Sequence, residues 1–253
     1  MDLASYDLIL VNTSGGKDSQ VSLDVVFEAA RDRGVHGRVH AVHADLGQCE
    51  WTGTRDLAEE QATHYGVPFH HVKRPQGDLL DHVEARGKWP SSTARYCTSD
   101  HKRGQCAKVV TRLVNEWRTV HGTHRPCRVL NVFGFRAQES PARAKHQVLT
   151  ANKRLSNGKR EVTDYLPIHD WSEDQVWGRI RETGVRHHRA YDLGMPRLSC
   201  VFCVFAPKRA LLIAGRHNRP LLDAYCDLED RIKHDFRKDF RINSIRETLL
   251  EEE

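Results

Sequence analysis

Short apolar runs alternate with longer amphipathic stretches along the first half of the chain. The apolar runs predict strands, because each is bounded by polar or Gly-containing residues, at 7–12, 39–44, 67–72 and 128–133. The amphipathic stretches predict helices at 21–32, 55–65, 79–84 and 99–120, the last with Ser99 or Asp100 as its N-cap. This alternation predicts an α/β fold with an open, mainly parallel five-stranded sheet that has helices on both faces.

The second half of the chain has weaker strand patterns. The stretch 138–160 is polar, basic and interrupted by Ser-Asn-Gly, which predicts a mobile loop over a site. Ser172 and Gln175 have the spacing of a capping box and predict the start of a short helix. The residues after Pro207 follow a mostly helical pattern.

Composition bounds the class of protein. The chain has 253 residues and a mean hydropathy of −0.63, and it contains no apolar run long enough for a membrane span. The opening residues MDLASYDLILV lack a basic region before the apolar run, which predicts a cytoplasmic protein without a signal peptide. The simplest division is an α/β domain at 1–182 and a helical C-terminal segment at 183–253.

The formal net charge of +5 is unevenly distributed. Residues 86–160 hold 17 Lys and Arg against 3 Asp and Glu, while the rest holds 22 against 31. Such a basic stretch predicts a surface for phosphates, either a nucleotide or a nucleic acid. A solvated lysine-rich face is the alternative, but arginine predominates here, and its planar guanidinium suits oxyanions.

The clearest motif is the segment Ser14-Gly15-Gly16-Lys17-Asp18-Ser19, between the first predicted strand and helix. Two glycines allow a close backbone approach to a ligand, and backbone N–H groups at a helix N-terminus bind anions. The two serine hydroxyls and the Lys17 ammonium add donors. The segment fits neither the Walker A pattern nor the dinucleotide fingerprint, and an ordinary glycine turn is the alternative.

This loop resembles that of the PP-loop ATP pyrophosphatases, which have the adenine-nucleotide α-hydrolase-like fold. Four further segments resemble the phosphoadenosine-phosphosulfate-reductase-like branch of that family: HADLG at 43–47, RYCTSDHKR at 95–103, GFRAQESPAR at 134–143 and PIHDW at 167–171. The resemblance extends over about 8–205. It implies that ATP and Mg²⁺ are cofactors and that the loop holds a departing pyrophosphate.

The resemblance also suggests roles for individual residues. Asp45, at the end of a strand, would bind a ribose hydroxyl or Mg²⁺, or it caps a turn. Arg136 and Arg143, with Glu139 and Ser140, would bind the nucleotide and stabilise charge on its phosphates, or they form a surface ion network. Lys17, Asp45, Arg136 and Arg143 are therefore the predicted catalytic residues.

The chain has seven cysteines, an odd number that argues against a disulfide framework. Cys97 and the Cys200–Cys203 pair provide three thiolates for an iron–sulfur cluster, with Cys106 as a possible fourth ligand or a core residue. Zinc bound by three cysteines and His101 or His187 is an alternative. A redox dithiol without metal is another.

Three functions fit these patterns. The chain resembles the DNA phosphorothioation ATP pyrophosphatases of the same branch, which implies ATP-dependent adenylation of a DNA backbone phosphate followed by sulfur insertion from a cysteine desulfurase. This function accounts for both the loop and the basic stretch, and tRNA thiolation is a related version. Reduction of a phosphosulfate nucleotide fits the family, but the closing residues RINSIRETLLEEE lack the reductase motif Cys-Gly-(Leu/Ile)-His, and Tyr96 precedes Cys97 where cluster-bearing reductases have a second cysteine. The third possibility is a nucleotide-binding or DNA-binding regulator without turnover.

Overall fold

The computed structural model describes residues 1–122 and 124–252. The chain folds into two compact units that are interleaved in sequence. The first unit comprises 1–44, 53–72 and 106–188, and the second comprises 45–52, 73–105 and 189–253. The predicted domain boundary at 182 stays a prediction. The second unit includes two segments, 45–52 and 73–105, that precede this boundary in the sequence.

A single sheet organises the first unit, and it has one strand more than predicted. The strands are β1 Leu8–Thr13, β2 Val39–Asp45, β3 Phe69–Lys73, β4 Cys127–Val132, β5 Leu149–Ala151 and β6 Arg160–Tyr165. Their order is β3-β2-β1-β4-β6-β5. β1 pairs in parallel with β2 and β4, β4 pairs in parallel with β6, and β5 is antiparallel to β6.

The described residues form ten helices. They are α1 Lys17–Arg31, α2 Thr54–His64, α3 Leu79–Arg86, α4 Tyr96–Thr98, α5 Gly104–His121, α6 Pro141–Ala144, α7 Glu173–Thr183, α8 Lys208–His217, α9 Arg219–Ile232 and α10 Asn243–Glu251. Short 3₁₀ turns occur at Leu3–Ser5, His36–Arg38, Gly47–Cys49 and Ala137–Glu139, and a π-helical turn at Ser99–Arg103. None of the helices in the described part of the chain is long and apolar enough to cross a membrane.

Side chains of β1 alternate between two apolar clusters. Ile9 and Val11 pack in the cluster that contains Leu23 of α1. Leu8 and Leu10 pack in the cluster that contains Val110 of α5. Because successive strand residues point to opposite faces, the sheet is covered on both sides, as predicted.

Three sequence predictions need correction here. The sheet has six strands rather than five, because β6 was not recognised and β5 lies inside the stretch expected to be a loop. The stretch 138–160 is therefore not a plain loop, since it contains α6 and β5 and reaches the first residue of β6. The predicted N-cap at Ser99 or Asp100 is also wrong, because Ser99 already has helical dihedrals and the helical conformation begins at Tyr96.

The second unit has its own apolar core, which contains Leu211, Leu222, Tyr225 and Ile245 from its C-terminal helices. A buried carboxylate helps to order the chain that follows α9. Glu229 accepts hydrogen bonds from the backbone N–H groups of Phe236, Ile242 and Asn243.

Candidate phosphate-binding site

The Ser14–Ser19 segment connects β1 directly to α1, as predicted. Gly15 has φ of +68°, a conformation that glycine adopts without a steric penalty, and Gly16 is the N-cap of α1. The Ser14 N–H donates to Ser19 Oγ over 3.1 Å, and the Ser19 hydroxyl donates to the Gly16 carbonyl over 2.9 Å. The segment is thus folded back onto the first turn of α1, where helix N–H groups favour anions.

Lys17 is buried in this turn, with only 1% of its surface exposed. Its ammonium lies 3.7 Å from Asp18 Oδ2 and 3.4 Å from Glu173 Oε1, the latter on α7. A buried ammonium needs such charge partners, because removal from water disfavours the charged form. The loop therefore presents a lysine charge already compensated by carboxylates.

Arg136 is the second buried cation of the first unit, with 3% exposed. Its Nε donates to Asp18 Oδ1 over 2.5 Å, and its Nη1 donates to Gln138 Oε1 over 2.8 Å. Gln138 Oε1 also accepts from the Glu173 backbone N–H over 2.8 Å. The Asp18 carboxylate thus links Lys17 and Arg136, two residues predicted separately to act on phosphate.

Glu139 and Ser140 hold the arginines that flank them. Glu139 Oε2 accepts from the Arg136 backbone N–H over 2.9 Å and also from Arg143 Nη1. Ser140 Oγ caps α6 by accepting from the Arg143 backbone N–H over 3.2 Å. The Arg143 guanidinium lies 4.3 Å from the centroid of the Phe135 ring, a cation–π contact. These contacts make Glu139 and Ser140 supports for Arg143, and their predicted part in nucleotide binding stays a prediction.

Gly134 explains how the end of β4 reaches the loop. A Cβ at this position would lie 2.6 Å from the Asp18 carbonyl oxygen and 2.7 Å from its carbon. Both are backbone atoms, so no flexible side chain could move away. Gly134 belongs to one of the sequence motifs, but the motif alone does not reveal that this contact requires a residue without a side chain.

A chain of amides and one carboxylate crosses the sheet next to the loop, and it was not predicted from the sequence. Asn12 Nδ2 donates to Asn131 Oδ1 over 2.9 Å, and Asn131 Nδ2 donates to Asp164 Oδ1 over 2.7 Å. Asn152, just after β5, donates to both Asp164 oxygens over 2.9–3.0 Å. A polar residue at an inward-facing position of an otherwise apolar strand is the sequence signal that could have indicated this amide chain. The chain ties β1, β4, β6 and the residue after β5 together.

Asp45 is the last residue of β2, as expected, and belongs to the second unit. Its Oδ1 accepts from the Gly47 backbone N–H over 2.6 Å, which is the turn contact considered as an alternative role. Binding of Mg²⁺ or a ribose hydroxyl by Asp45 stays a prediction.

The second unit brings three of the predicted cysteines near one cation. Cys97, Cys200 and Cys203 interact electrostatically with one another and with Lys102. Burial raises the pKa of Cys200 from 9.0 to about 12, and burial also raises that of Cys203. Burial opposes the charged form of Lys102, but the pKa of Lys102 is raised because Glu50, and the nearby cysteines once they ionise at high pH, attract its ammonium. The thiols of Cys200 and Cys203 are therefore held mainly protonated near neutral pH.

Cys49 is a further thiol of this unit, and its isolated position in the sequence gave no sign that it interacts with Cys200. It is fully buried, hydrogen-bonds Tyr225 and interacts with Cys200. Its pKa lies well above the usual value, chiefly because of burial. Cys106 belongs to the first unit, on α5, where it packs against the cluster that contains Val110.

The predicted metal ligands do not form a preassembled metal site. Among residues 1–122 and 124–252, no three His, Cys, Asp or Glu side chains are grouped so that they could hold a metal ion. The side chains as arranged do not fit a zinc ion or a cluster. Metal ligation by Cys97, Cys106, Cys200 and Cys203 stays a prediction, as does the alternative that includes His101 or His187.

The family model of the phosphoadenosine phosphosulfate reductase domain matches residues 8–206, most of the chain. The chain belongs to this family. The resemblance seen in the motifs is therefore confirmed, and so is membership of the reductase-like branch of PP-loop proteins.

Individual relatives of this family member are distant. An uncharacterised 37.8 kDa protein of Escherichia phage 186 is 27% identical over 157 residues, which are 61% of this chain and 43% of the phage protein. The match thus spans less than half the length of that relative. The adenosine 5'-phosphosulfate reductase of Staphylococcus haemolyticus is 22% identical over 199 residues, 78% of this chain and 70% of that enzyme.

Solved structures support the fold. The phosphoadenylyl-sulfate reductase of Candida auris, solved as a phosphate complex, has a TM-score of 0.51 and 20% identity and covers 78% of this chain and 83% of its own. An FMN adenylyltransferase of Candida glabrata has a TM-score of 0.50 and 13% identity and covers 76% of this chain and 53% of its own. The predicted α/β architecture of the adenine-nucleotide α-hydrolase-like type is confirmed, with six strands in place of five.

Proposed function

We propose that this member of the phosphoadenosine phosphosulfate reductase domain family is an ATP pyrophosphatase that adenylates an acceptor, which is a backbone phosphate of DNA. The observation that carries the proposal is the contact of Arg136, which follows β4, with Asp18 of the Ser14–Ser19 segment, next to Lys17. Two buried cations next to a helix N-terminus suit an oligophosphate better than a single monoanion.

In the proposed reaction, a phosphate oxygen of the acceptor attacks the α-phosphorus of ATP. A bond forms between that oxygen and the α-phosphorus, and the bond from the α-phosphorus to the bridging oxygen of pyrophosphate breaks. Lys17 and the N–H groups of the loop neutralise the charge that develops on the departing pyrophosphate, while Arg136 stabilises charge on the reacting phosphate. Both cations are positioned by carboxylate partners before ATP binds, and the phosphates would replace part of these ion pairs.

Asp45 is the proposed ligand for Mg²⁺ or for the ribose hydroxyl, since carboxylate oxygens suit both. Mg²⁺ would neutralise part of the charge on the triphosphate. In the second stage, the outer sulfur of a persulfide supplied by a cysteine desulfurase would attack the phosphorus of the adenylated acceptor and form the phosphorus–sulfur bond as AMP leaves. A second thiol would then reduce the remaining S–S bond, which leaves a phosphorothioate and a disulfide. The thiols of the second unit are candidates for passing this sulfur on.

The choice of DNA as acceptor is supported by the charge of the first unit. Its segment 106–160 holds 12 Lys and Arg against 2 Asp and Glu, more positive charge than ATP requires. Affinity for a nucleic acid comes mainly from such contacts to phosphate.

A second candidate is reduction of a phosphosulfate nucleotide, with tRNA thiolation as a further alternative acceptor reaction. Membership of the family and the relation to adenosine 5'-phosphosulfate reductases favour the reductase reading. In that case the cations of the loop region would bind the sulfate or phosphate of the substrate in place of pyrophosphate.

The decisive experiment measures pyrophosphate and AMP released from ATP, with and without duplex DNA or tRNA. We expect pyrophosphate to be released and DNA to stimulate its release. Lys17→Ala should lower this rate at least a hundredfold, because removal of a single donor that stabilises developing charge costs about 10²–10³-fold.

Lys208→Ala is a matched control, since it removes an exposed lysine of the second unit. Parallel assays offer adenosine phosphosulfate or its 3'-phosphorylated form with reduced thioredoxin. Formation of sulfite there, with no pyrophosphate from ATP, would overturn the proposal and favour the reductase.

A further inference from the structure

The residues that form β5 and the turn to β6 carry positive charge. The first acidic residue after them is Glu161, the second residue of β6. We define the basic hairpin as residues 145–160, which contain Lys145, Lys153, Arg154 and Lys159 as exposed cations. No Asp or Glu occurs between Glu139 and Glu161. The charge of this surface is therefore positive at neutral pH.

These four cations differ from most arginines of the protein. Within the part of the chain that the structure describes, their side chains form no ion pair, hydrogen bond or ring contact. By contrast, Arg125, Arg179 and Arg186 of the same unit are paired with Asp7, Asp24 and Glu60. Charges without protein partners can neutralise phosphates without first breaking an internal contact.

The hairpin backbone is well anchored although its side chains are exposed. β5 pairs with β6 from Leu149 opposite Tyr165 to Ala151 opposite Thr163. The turn is fixed by Asn152, which bonds Asp164, and by the Arg160 guanidinium, which donates to the Leu155 carbonyl over 2.6 Å. An ordered surface loses less conformational entropy when it binds a ligand than a mobile loop would.

The hairpin also extends from the edge of the sheet where the phosphate loop lies. β6 is parallel to β4, with Tyr165 opposite Val132, and β4 leads directly to Gly134 at the loop. Lys145 precedes the end of β5 that pairs with Tyr165, whereas Lys153, Arg154 and Lys159 surround the start of β6. The six residues of β6 span about 20 Å, so the cations flank both ends of a track of this length.

We infer that the basic hairpin is the docking surface for the backbone of duplex DNA and leads it toward the phosphate loop. The inference rests on the proposed function for the identity of the acceptor. Duplex DNA carries about one negative charge per 1.7 Å when both strands are counted, so about 20 Å of it carries roughly 12 charges, more than these four side chains can neutralise. Val148, just before edge strand β5, and Leu149, its first residue, are exposed between the cations, so this side of the sheet is accessible.

The test replaces Lys145, Lys153, Arg154 and Lys159 together by Gln and measures binding to a duplex DNA from 50 to 200 mM salt by fluorescence anisotropy. The slope of log K against log salt is negative, and each lost phosphate contact reduces its magnitude by about 0.9, so we expect the slope to become less steep by about 3.6 and binding to weaken at least tenfold at 50 mM salt. The matched control replaces four exposed cations of the second unit, Lys208, Arg209, Lys233 and Lys238, by Gln. This control has the same net charge and should keep the wild-type slope.

Equal slopes for the hairpin variant and the wild-type protein would overturn the inference. A hairpin-dependent preference for duplex RNA or single-stranded DNA over duplex DNA would also overturn it, because the occupant would be a different nucleic acid. Thermal unfolding of each variant shows that loss of binding is not loss of folding. Pyrophosphate release by the wild-type protein is measured separately. If it is absent while DNA binding depends on the hairpin, the proposed reaction fails and the docking surface stands.

Discussion

The close approach of Gly134 to α1 gives a prediction about loop geometry that can be tested with one methyl group. In Gly134→Ala, the new Cβ would lie 2.6 Å from the Asp18 carbonyl oxygen, whereas ordinary van der Waals contact begins near 3.4 Å. One of the two backbones must therefore move by about 0.8 Å, and Asp18 is the residue that links Lys17 to Arg136. We expect Gly134→Ala to disturb the loop as well as the packing.

The expected magnitude follows from overpacking of a well-packed region, which costs about 1–3 kcal/mol. For a protein of this size, each kcal/mol corresponds to about 2–4 °C in the thermal midpoint, so the midpoint should fall by about 2–12 °C. Displacement of a reacting group by about 1 Å can cost about a hundredfold in rate. Pyrophosphate release per folded molecule should therefore fall by roughly that factor.

The assay combines thermal unfolding with pyrophosphate release at a temperature where the variant is folded. Gly37→Ala is a suitable control, because a Cβ there meets no atom within 4 Å. The reasoning is refuted if Gly134→Ala matches Gly37→Ala in both measurements. If only the thermal midpoint falls, the contact stabilises the fold without setting the position of the loop.

Two further predictions concern the amide chain and the buried thiol. Asp164→Ala leaves the amides of Asn131 and Asn152 without their acceptor, so the free energy of unfolding in urea should fall by about 1–3 kcal/mol. Asp164→Asn keeps one acceptor oxygen and should lose less. Equal losses for both variants would contradict this account. The pKa of the Cys200 thiol is raised from 9.0 to about 12. Between these pH values the folded state holds a proton that the unfolded state releases. The contribution of this thiol to stability is therefore present below pH 9 and decreases as the pH rises toward 12. Alkylation followed by mass spectrometry should show slow labelling of Cys200 at pH 9 in the folded protein and fast labelling in denaturant, and equal labelling rates would rule out a raised pKa.

The central strands could be predicted because burial on both faces leaves a continuous apolar signal, as in β1. β5 could not, since its three residues are all exposed at the edge of the sheet. β6 was missed because its sequence REVTDY contains three charged residues: Arg160, the exposed Glu161, and Asp164, whose carboxylate belongs to the amide chain. Its strand conformation depends on pairing with β4, which no local pattern reveals.

The candidate site was predictable where its chemistry is local in sequence. The Ser14–Ser19 segment and Arg136 were found because their residue types and spacing are informative by themselves. The shared contact of Lys17 and Arg136 with Asp18 depends on the approach of β4 to α1, which lie about a hundred residues apart in the sequence. Cys49 was passed over because it stands alone in sequence and is joined to Cys200 and Tyr225 only by the fold.

The interleaved order of the two units has a consequence for folding during synthesis. Every strand of the sheet has left the ribosome once Tyr165 has emerged, so the first unit can form while the chain is still growing. Residues 45–52 and 73–105 emerge early, but their apolar side chains are buried with those of 189–253, which are made later. Leu79, Leu80 and Trp89 therefore remain exposed to water until their packing partners have been made. During this interval the nascent chain is most prone to aggregation and to binding by a chaperone.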